Sequence, residues 1–264
     1  MNMKKVLCLI LAGIICMFAF VGCKKEDDTL VCGVTIFENM NEKDENGNWT
    51  GFESEFAMAV GEIIGMKVEF QEIEWEQKYN ELNSGAIDCI WNGFTANSSD
   101  NGVKRSDLVD FSYGYMLNQQ CIVVKTSELA NYTSAEVLKG KTACVEGGSA
   151  GEAYAKTATD EAKVLKATSQ IKAFPELKSG AVDFIVVDIV LAQNLCGQGD
   201  YADLSIVENI KLESEIYAVG FKKGSDLTAK VNEAIKELEQ NGKLLELAKK
   251  YGFENVLKVT ETIE

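Results

Sequence analysis

The sequence predicts an α/β fold built as two similar lobes, and three observations carry that expectation. Short β-like runs alternate with helical segments along most of the chain, the rhythm of strand–helix–strand units in a parallel sheet covered by helices. A ten-residue segment, ELNSGAIDCI at 81–90, recurs 95 residues later as ELKSGAVDFI at 176–185 with seven identities. At 264 residues and 46% hydrophobic, the chain has enough apolar side chain for one large domain or two modest ones.

Residues 1–22 read as an export signal and are set apart from the fold. Lys4 and Lys5 precede an apolar run from Val6 to Val21, too short for a membrane span, and a polar stretch follows Cys23. Phe20-Val21-Gly22-Cys23 also resembles a bacterial lipobox, although leucine is usual where Phe20 stands. That resemblance implies cleavage before Cys23, lipidation of its thiol, and residues 23–30 as a tether.

Beyond the tether, residues 31–37 read as a strand. Residues 52–64 carry Phe52, Phe56, Ala59, Val60 and Ile63 at helical spacing, with Gly65 as the C-cap. Residues 68–73 and 87–91 read as strands around a helix at 78–84. The pattern then repeats: strands at 141–146, 164–167 and 182–187 with helices at 152–157 and 169–179. Both copies of the duplicated segment end a helix at Ser-Gly and enter a buried strand, so both occupy the same point of a βαβ unit. A strand at 215–221, a helix at 227–240 with Leu227, Val231, Ala234, Ile235 and Leu238 on one face, and a helix at 243–251 complete the chain. Ligands of open parallel sheets sit where strands end at their carboxyl termini. Those edges are Asn92-Gly93-Phe94-Thr95 in the first copy and Asp188 in the second, and facing each other they would enclose a small molecule.

Composition excludes several functions. With 41 acidic and 26 basic residues the charge is -15, which repels polyphosphate, so no nucleic-acid partner is expected. The absence of histidine removes Ser-His-Asp and Cys-His catalysis and histidine metal sites. Cys32, Cys89, Cys121, Cys144 and Cys196 are five, so they cannot all pair, and the first four sit in apolar runs where a free thiol acts as a small hydrophobe. No CxxC pair occurs; no metal or cofactor is expected.

Five motifs in order carry a resemblance to the family 3 extracellular solute-binding proteins, the amino-acid receptors of bacterial ABC importers. They are ENGNWTGFE at 45–53, the run from Leu82 to Thr95, RSDLVDFSYGY at 105–115, LKGK at 138–141 leading to GSAGE at 148–152, and AVDFIVVD at 181–188. The resemblance covers nearly all of the mature chain. It implies a type II periplasmic-binding-protein fold: two α/β lobes joined by two hinge strands, near 116–121 and 213–217, with the ligand cleft between. Lobe 1 would be 31–117 plus 216–264, and lobe 2 118–215. The implied partners are a free amino acid, a permease with its ATPase, and a membrane through the lipid on Cys23, the protein acting as a monomer on the extracytoplasmic face.

A free amino acid needs a forked cation, an anion and an adaptable wall. Arg105, the only arginine, falls where the family clamps the α-carboxylate, and a guanidinium suits bidentate pairing as lysine does not. The eight residues 97–104 ahead of it make a longer loop than the family's. Thr95 would take the second carboxylate oxygen, and Ser149 and Ala150, in a glycine-rich loop opening a helix, would close from the other lobe. Asp188 falls where the family receives the α-ammonium, with Asn92 and the carbonyl of Gly93 sharing it. Phe37 and Trp75 align with the family's aromatic pair around the side chain. Members binding cationic amino acids often carry an acid where Val34 stands, so a polar or small apolar ligand is expected rather than a cationic one. An enzyme on this fold, dehydratase-like, and a tethered sensor are the competing readings; neither a catalytic partner for Glu38 or Asp188 nor a signalling domain is evident.

Overall fold

The computed structural model describes residues 28–263; the expected signal and Cys23 lie outside the described residues. Strand β1 (Thr29–Val34) leads through a small hairpin, β2 (Glu42–Lys43) and β3 (Trp49–Thr50), into helix α1 (Phe52–Ile64), and β4 (Lys67–Glu72) returns parallel to β1. Helix α1 buries Phe52, Phe56, Ala57 and Val60 and stops at Gly65 (φ 72°), a left-handed turn that suits glycine. The first strand is shorter than expected. Beyond Val34 the backbone N–H and carbonyl of Phe37 both bond Asn41, with Asn39 at φ 61°, so these residues form a turn.

Helix α2 (Lys78–Ser84) precedes β5 (Cys89–Ile90), parallel to β1 on its other side. A second hairpin, β6 (Ser99–Asp100) and β7 (Val103–Lys104), and a single helical turn, α3 (Arg105–Leu108), lead to β8 (Asp110–Lys125), 16 residues long. The second half comprises β9 (Ala143–Glu146), α4 (Ala150–Ala158), β10 (Val164–Ala167), α5 (Ala173–Ser179), β11 (Phe184–Asp188), α6 (Ile189–Leu195) and β12 (Leu204–Ile206). Pro175 sits in the first turn of α5, where its missing N–H costs no helical bond, and a 3-10 turn at Gln170–Lys172 takes the start of the helix expected from 169. Strand β13 (Ser214–Phe221), α7 (Leu227–Gln240), α8 (Lys243–Tyr251) and β14 (Leu257–Thr260) follow, with α7 and α8 packed on α1.

Ten strands form one sheet in the order β10-β9-β11-β8-β13-β5-β1-β4, with β12 and β14 also on β8, and the hairpins β2-β3 and β6-β7 stand apart from it. Along β8 the partners change. Its residues from Asp110 to Gln119 pair with β13, and those from Gln120 onward pair with β11 and β12. The two lobes of this type II fold are therefore connected through antiparallel neighbours β8 and β13. In the second lobe Ile122, Val124, Val145, Phe184 and Val186 form one cluster and Val123, Phe174, Ile185, Val187 and Leu191 belong to another that continues to Phe52 and Phe56 of the first lobe, where Ile87, Ile90, Phe94 and Val109 form a third.

The duplicated segment is a duplication of structure. Gly85 and Gly180 both end their helices in left-handed conformation, with N–H groups on the carbonyls of Glu81 and Leu82 in one copy and of Glu176 and Leu177 in the other. Ser84 and Ser179 each donate to the carbonyl three residues back, both at 2.9 Å. Asp88 then accepts from the N–H of Val31 (2.8 Å), and Asp183 from that of Thr142 (2.7 Å), so each acid pins the strand that runs beside its own.

Candidate ligand-binding cleft

A narrow pocket lies between the lobes, at the carboxyl ends of β5, β9 and β11, with a free volume of only about 10 Å³, so the lobes must part to admit anything larger than a water. Eight of the nine expected ligand residues line it: Trp75, Asn92, Gly93, Thr95, Arg105, Ser149, Ala150 and Asp188. Phe37 does not. Its ring is buried behind Gly93, with Cε1 3.1 Å from where a Cβ on Gly93 would stand, so the expected aromatic pair is reduced at the cavity to Trp75, itself edge-on to Phe94. The turn that ends β1 at Val34 places Phe37 in a second layer behind Gly93.

Arg105 reaches the cleft despite the longer loop, because that loop folds back as the β6–β7 hairpin. The guanidinium is 1% exposed. Its Nε (3.1 Å) and Nη2 (2.9 Å) donate to one oxygen of Asp100 in the hairpin, Nη1 donates to the carbonyl of Thr95 (3.1 Å), and Nη2 reaches the carbonyl of Gly148 across the cleft at 3.4 Å. Five N–H groups meet four contacts, the last of them long, so one Nη1 N–H remains available to a carboxylate. Lys78 adds a second buried cation. Its ammonium donates to the carbonyl of Gly148 at 2.8 Å and lies 3.6 Å from Asp100. Burial, and then the Arg105 charge, push its amine down to about 8. Burial alone would raise the Asp100 carboxyl, but Arg105 and Lys78 hold it below the ordinary carboxylate range.

The opposite wall is acidic. Asp188 ends β11 as the residue before α6, yet its side chain makes no cap bond to that helix. Its carboxylate instead accepts from Asn118 (2.7 Å), Gln120 and Gln170, while Gln170 also takes the Asp188 N–H at 2.8 Å. Asn118 and Gln120 donate as well to Glu215, at 2.6 and 3.0 Å, so the crossing of β8 and β13 binds two carboxylates with two amides. Burial raises both acids, and the Asp188 charge helps push Glu215 up to about 7. Glu146, at the end of β9, is pushed up to about 8 by burial and the Asp188 charge.

Two expected residues are committed elsewhere. The amide of Asn92 donates to the carbonyl of Thr35 (2.9 Å) and to Asn41 (2.8 Å) and accepts from the Thr35 hydroxyl (2.7 Å), so it shapes the loop rather than offering a free group. Ser149 accepts from the N–H of Glu152 (3.0 Å) and caps α4, which aims the helix N-terminus at the cavity. Beneath Gly93, both oxygens of Glu53 accept its N–H (2.9 and 3.0 Å). Sequence reasoning missed Lys78, Glu146, Gln120, Gln170 and Glu215. Each is an ordinary polar residue in its local string, and only Glu146, a carboxylate ending the apolar run Ala143-Cys144-Val145, carries a signal that could have marked it.

The fold and cleft define a two-lobed solute-capturing protein of the type II periplasmic-binding class. The chain belongs to the bacterial extracellular solute-binding proteins, family 3, whose family model matches residues 30–255. It is similar to the arginine-binding extracellular protein ArtP of Bacillus subtilis (strain 168), 30% identical over 258 residues that cover 94% of this chain and 98% of that one. It also resembles the L-cystine-binding protein TcyA of the same strain, 30% identical over 216 residues, covering 79% and 75% of the two chains. Among solved structures, an ABC uptake transporter substrate-binding protein from Streptococcus pneumoniae with bound histidine superposes with a TM-score of 0.76 at 31% identity, over 88% of this chain and 95% of that one.

Proposed function

We propose that this protein captures a free α-amino acid between its lobes and delivers it to the permease of an ABC importer, held to the membrane by lipid on Cys23. The observation that carries the reading is the pairing of poles in one small cavity. A buried guanidinium with a free Nη1 N–H faces the α-carboxylate, and a carboxylate held by three amides faces the α-ammonium. The tryptophan and the α4 N-terminus supply the rest of the wall. Relatives named for arginine and cystine, and a structure with histidine, support an amino-acid ligand without choosing one.

The lobes hinge on β8 near 117–118 and on β13 near 215–216, and ligand release opens them as rigid bodies. Val34 lies buried in β1 and brings no acid to the cavity, but Glu146 does, so the position of Val34 no longer separates cationic from neutral ligands. Isothermal titration of protein stripped of ligand by unfolding and refolding, against the twenty amino acids and cystine, tests the assignment. Micromolar or tighter binding of at least one, recovered chemically unchanged by mass spectrometry, is the expected result. Heat from none of them would overturn the amino-acid reading, and an altered product would make the protein an enzyme.

A further inference from the structure

Glu146 stands apart from the other polar groups of the cavity. Its side chain is 3% exposed, and one carboxyl oxygen, Oε1, lacks a well-formed hydrogen bond, although the Thr35 hydroxyl and the Gln170 backbone N–H bear on the carboxyl. Other groups of the polar wall are held by the protein, Asp188 by its three amides, Asn92 by Thr35 and Asn41, and Ser149 by the N–H of Glu152, while Arg105 keeps one Nη1 N–H for the α-carboxylate. Burial holds this carboxyl protonated near neutral pH in the ligand-free protein, and a ligand donor that meets the oxygen would favour the ionised form, so the site discriminates in favour of ligands that supply one.

Resting on the amino-acid reading of the cleft, we infer that Glu146 reads the ligand's side chain and selects one that carries an N–H donor, either a neutral amide or a cation. Asp188, with three amide donors, serves the α-ammonium common to all amino acids, which leaves Glu146 for the part that differs. The groups facing it are Asp188 from β11, which opposes its ionisation, and Lys78 from α2, with the Thr35 hydroxyl and the Gln170 backbone N–H, which favour it. A donor from the ligand supplies what Lys78, already given to the carbonyl of Gly148, does not.

The test is titration of the stripped full-length protein with L-arginine, L-glutamine, L-leucine and L-glutamate, for the wild type, Glu146→Leu and Glu146→Gln. Wild type is expected to bind arginine or glutamine at least about tenfold tighter than leucine and glutamate, and Glu146→Leu to erase that preference while keeping leucine within about threefold. Glu146→Gln, close to isosteric, separates the two donors: a cationic side chain loses about tenfold or more, whereas an amide stays within a few fold. It also serves should Glu146→Leu fail to fold, as judged by thermal melting. A wild type that binds leucine as tightly as the N–H ligands, or a preference that survives both substitutions, overturns the inference. Uniform loss across the panel would place Glu146 on the ammonium and overturn it too. Absence of binding by every amino acid is a different failure, that of the amino-acid reading itself.

Discussion

Replacing Asp100 with alanine tests how the long loop before Arg105 was accommodated. The carboxylate accepts two bonds from Arg105 and one from the Tyr79 hydroxyl (2.6 Å) and lies 3.6 Å from the Lys78 ammonium. Side-chain exposures are 1% for Arg105, 2% for Lys78 and 15% for Asp100, so removal strands two cations away from water. Breaking a buried ion pair from one side costs about 3–5 kcal/mol, and the partial exposure of Asp100 argues for the lower end, about 3 kcal/mol. For a chain of this size each kcal/mol moves Tm by about 2–4 °C, so ligand-free Asp100→Ala should melt about 6–12 °C below wild type. Saturating ligand should recover part of the difference, because its carboxylate takes up pairing to Arg105. Differential scanning calorimetry with and without the bound amino acid reads both. A drop under about 2 °C would refute the claim that Asp100 holds the buried cations.

Further outcomes follow from the same structure. Glu53 and Glu215 are pushed up to about 7 and Glu146 to about 8, chiefly by burial, so the folded state binds more protons than the unfolded one above pH 4.5. Ligand-free stability should therefore fall as pH rises from about 5 to 8, at up to about 1.4 kcal/mol per pH unit for each such group, and a flat urea-denaturation profile across that range would contradict it. At the acid end the lowered Asp100 acts oppositely, its contribution being lost as pH falls through its folded pKa. Gly148→Ala should weaken ligand binding by about tenfold or more, because φ is +73° there and the new Cβ would stand 3.0 Å from the Cα of Glu76 and 3.2 Å from the Lys78 ammonium, on the opposing lobe; unchanged affinity by titration would show that closure does not bring these surfaces together. Native thiol labelling followed by peptide mapping should modify Cys196 ahead of Cys32, Cys89, Cys121 and Cys144, which are buried; rapid reaction of the latter four would contradict that packing.

Much of this protein is decided by local pattern. Helices at 52–64, 78–84, 227–240 and 243–251 stand where apolar spacing and glycine caps put them, because an amphipathic stripe and an αL cap are both encoded within a few neighbours. The duplicated segment fixed two equivalent strand ends, and with them Asn92 to Thr95 and Asp188, since ligand edges follow strand direction. Arg105 was legible as the only guanidinium in the chain.

Tertiary structure alone decided the rest. Strand 31–37 stops at Val34 and turns Phe37 into the wall behind Gly93, since the Phe37–Asn41 bridge and α1 compete with strand extension. The excess loop residues at 97–104 become a hairpin whose Asp100 neutralises Arg105 and Lys78, a contact that no local string announces. Asn118, Gln120 and Glu215 meet Asp188 only because β8 and β13 cross side by side after nearly a hundred intervening residues. A polar residue in a strand looks alike whether it faces water or a buried carboxylate, and the difference is set by long-range pairing, not by its neighbours in sequence.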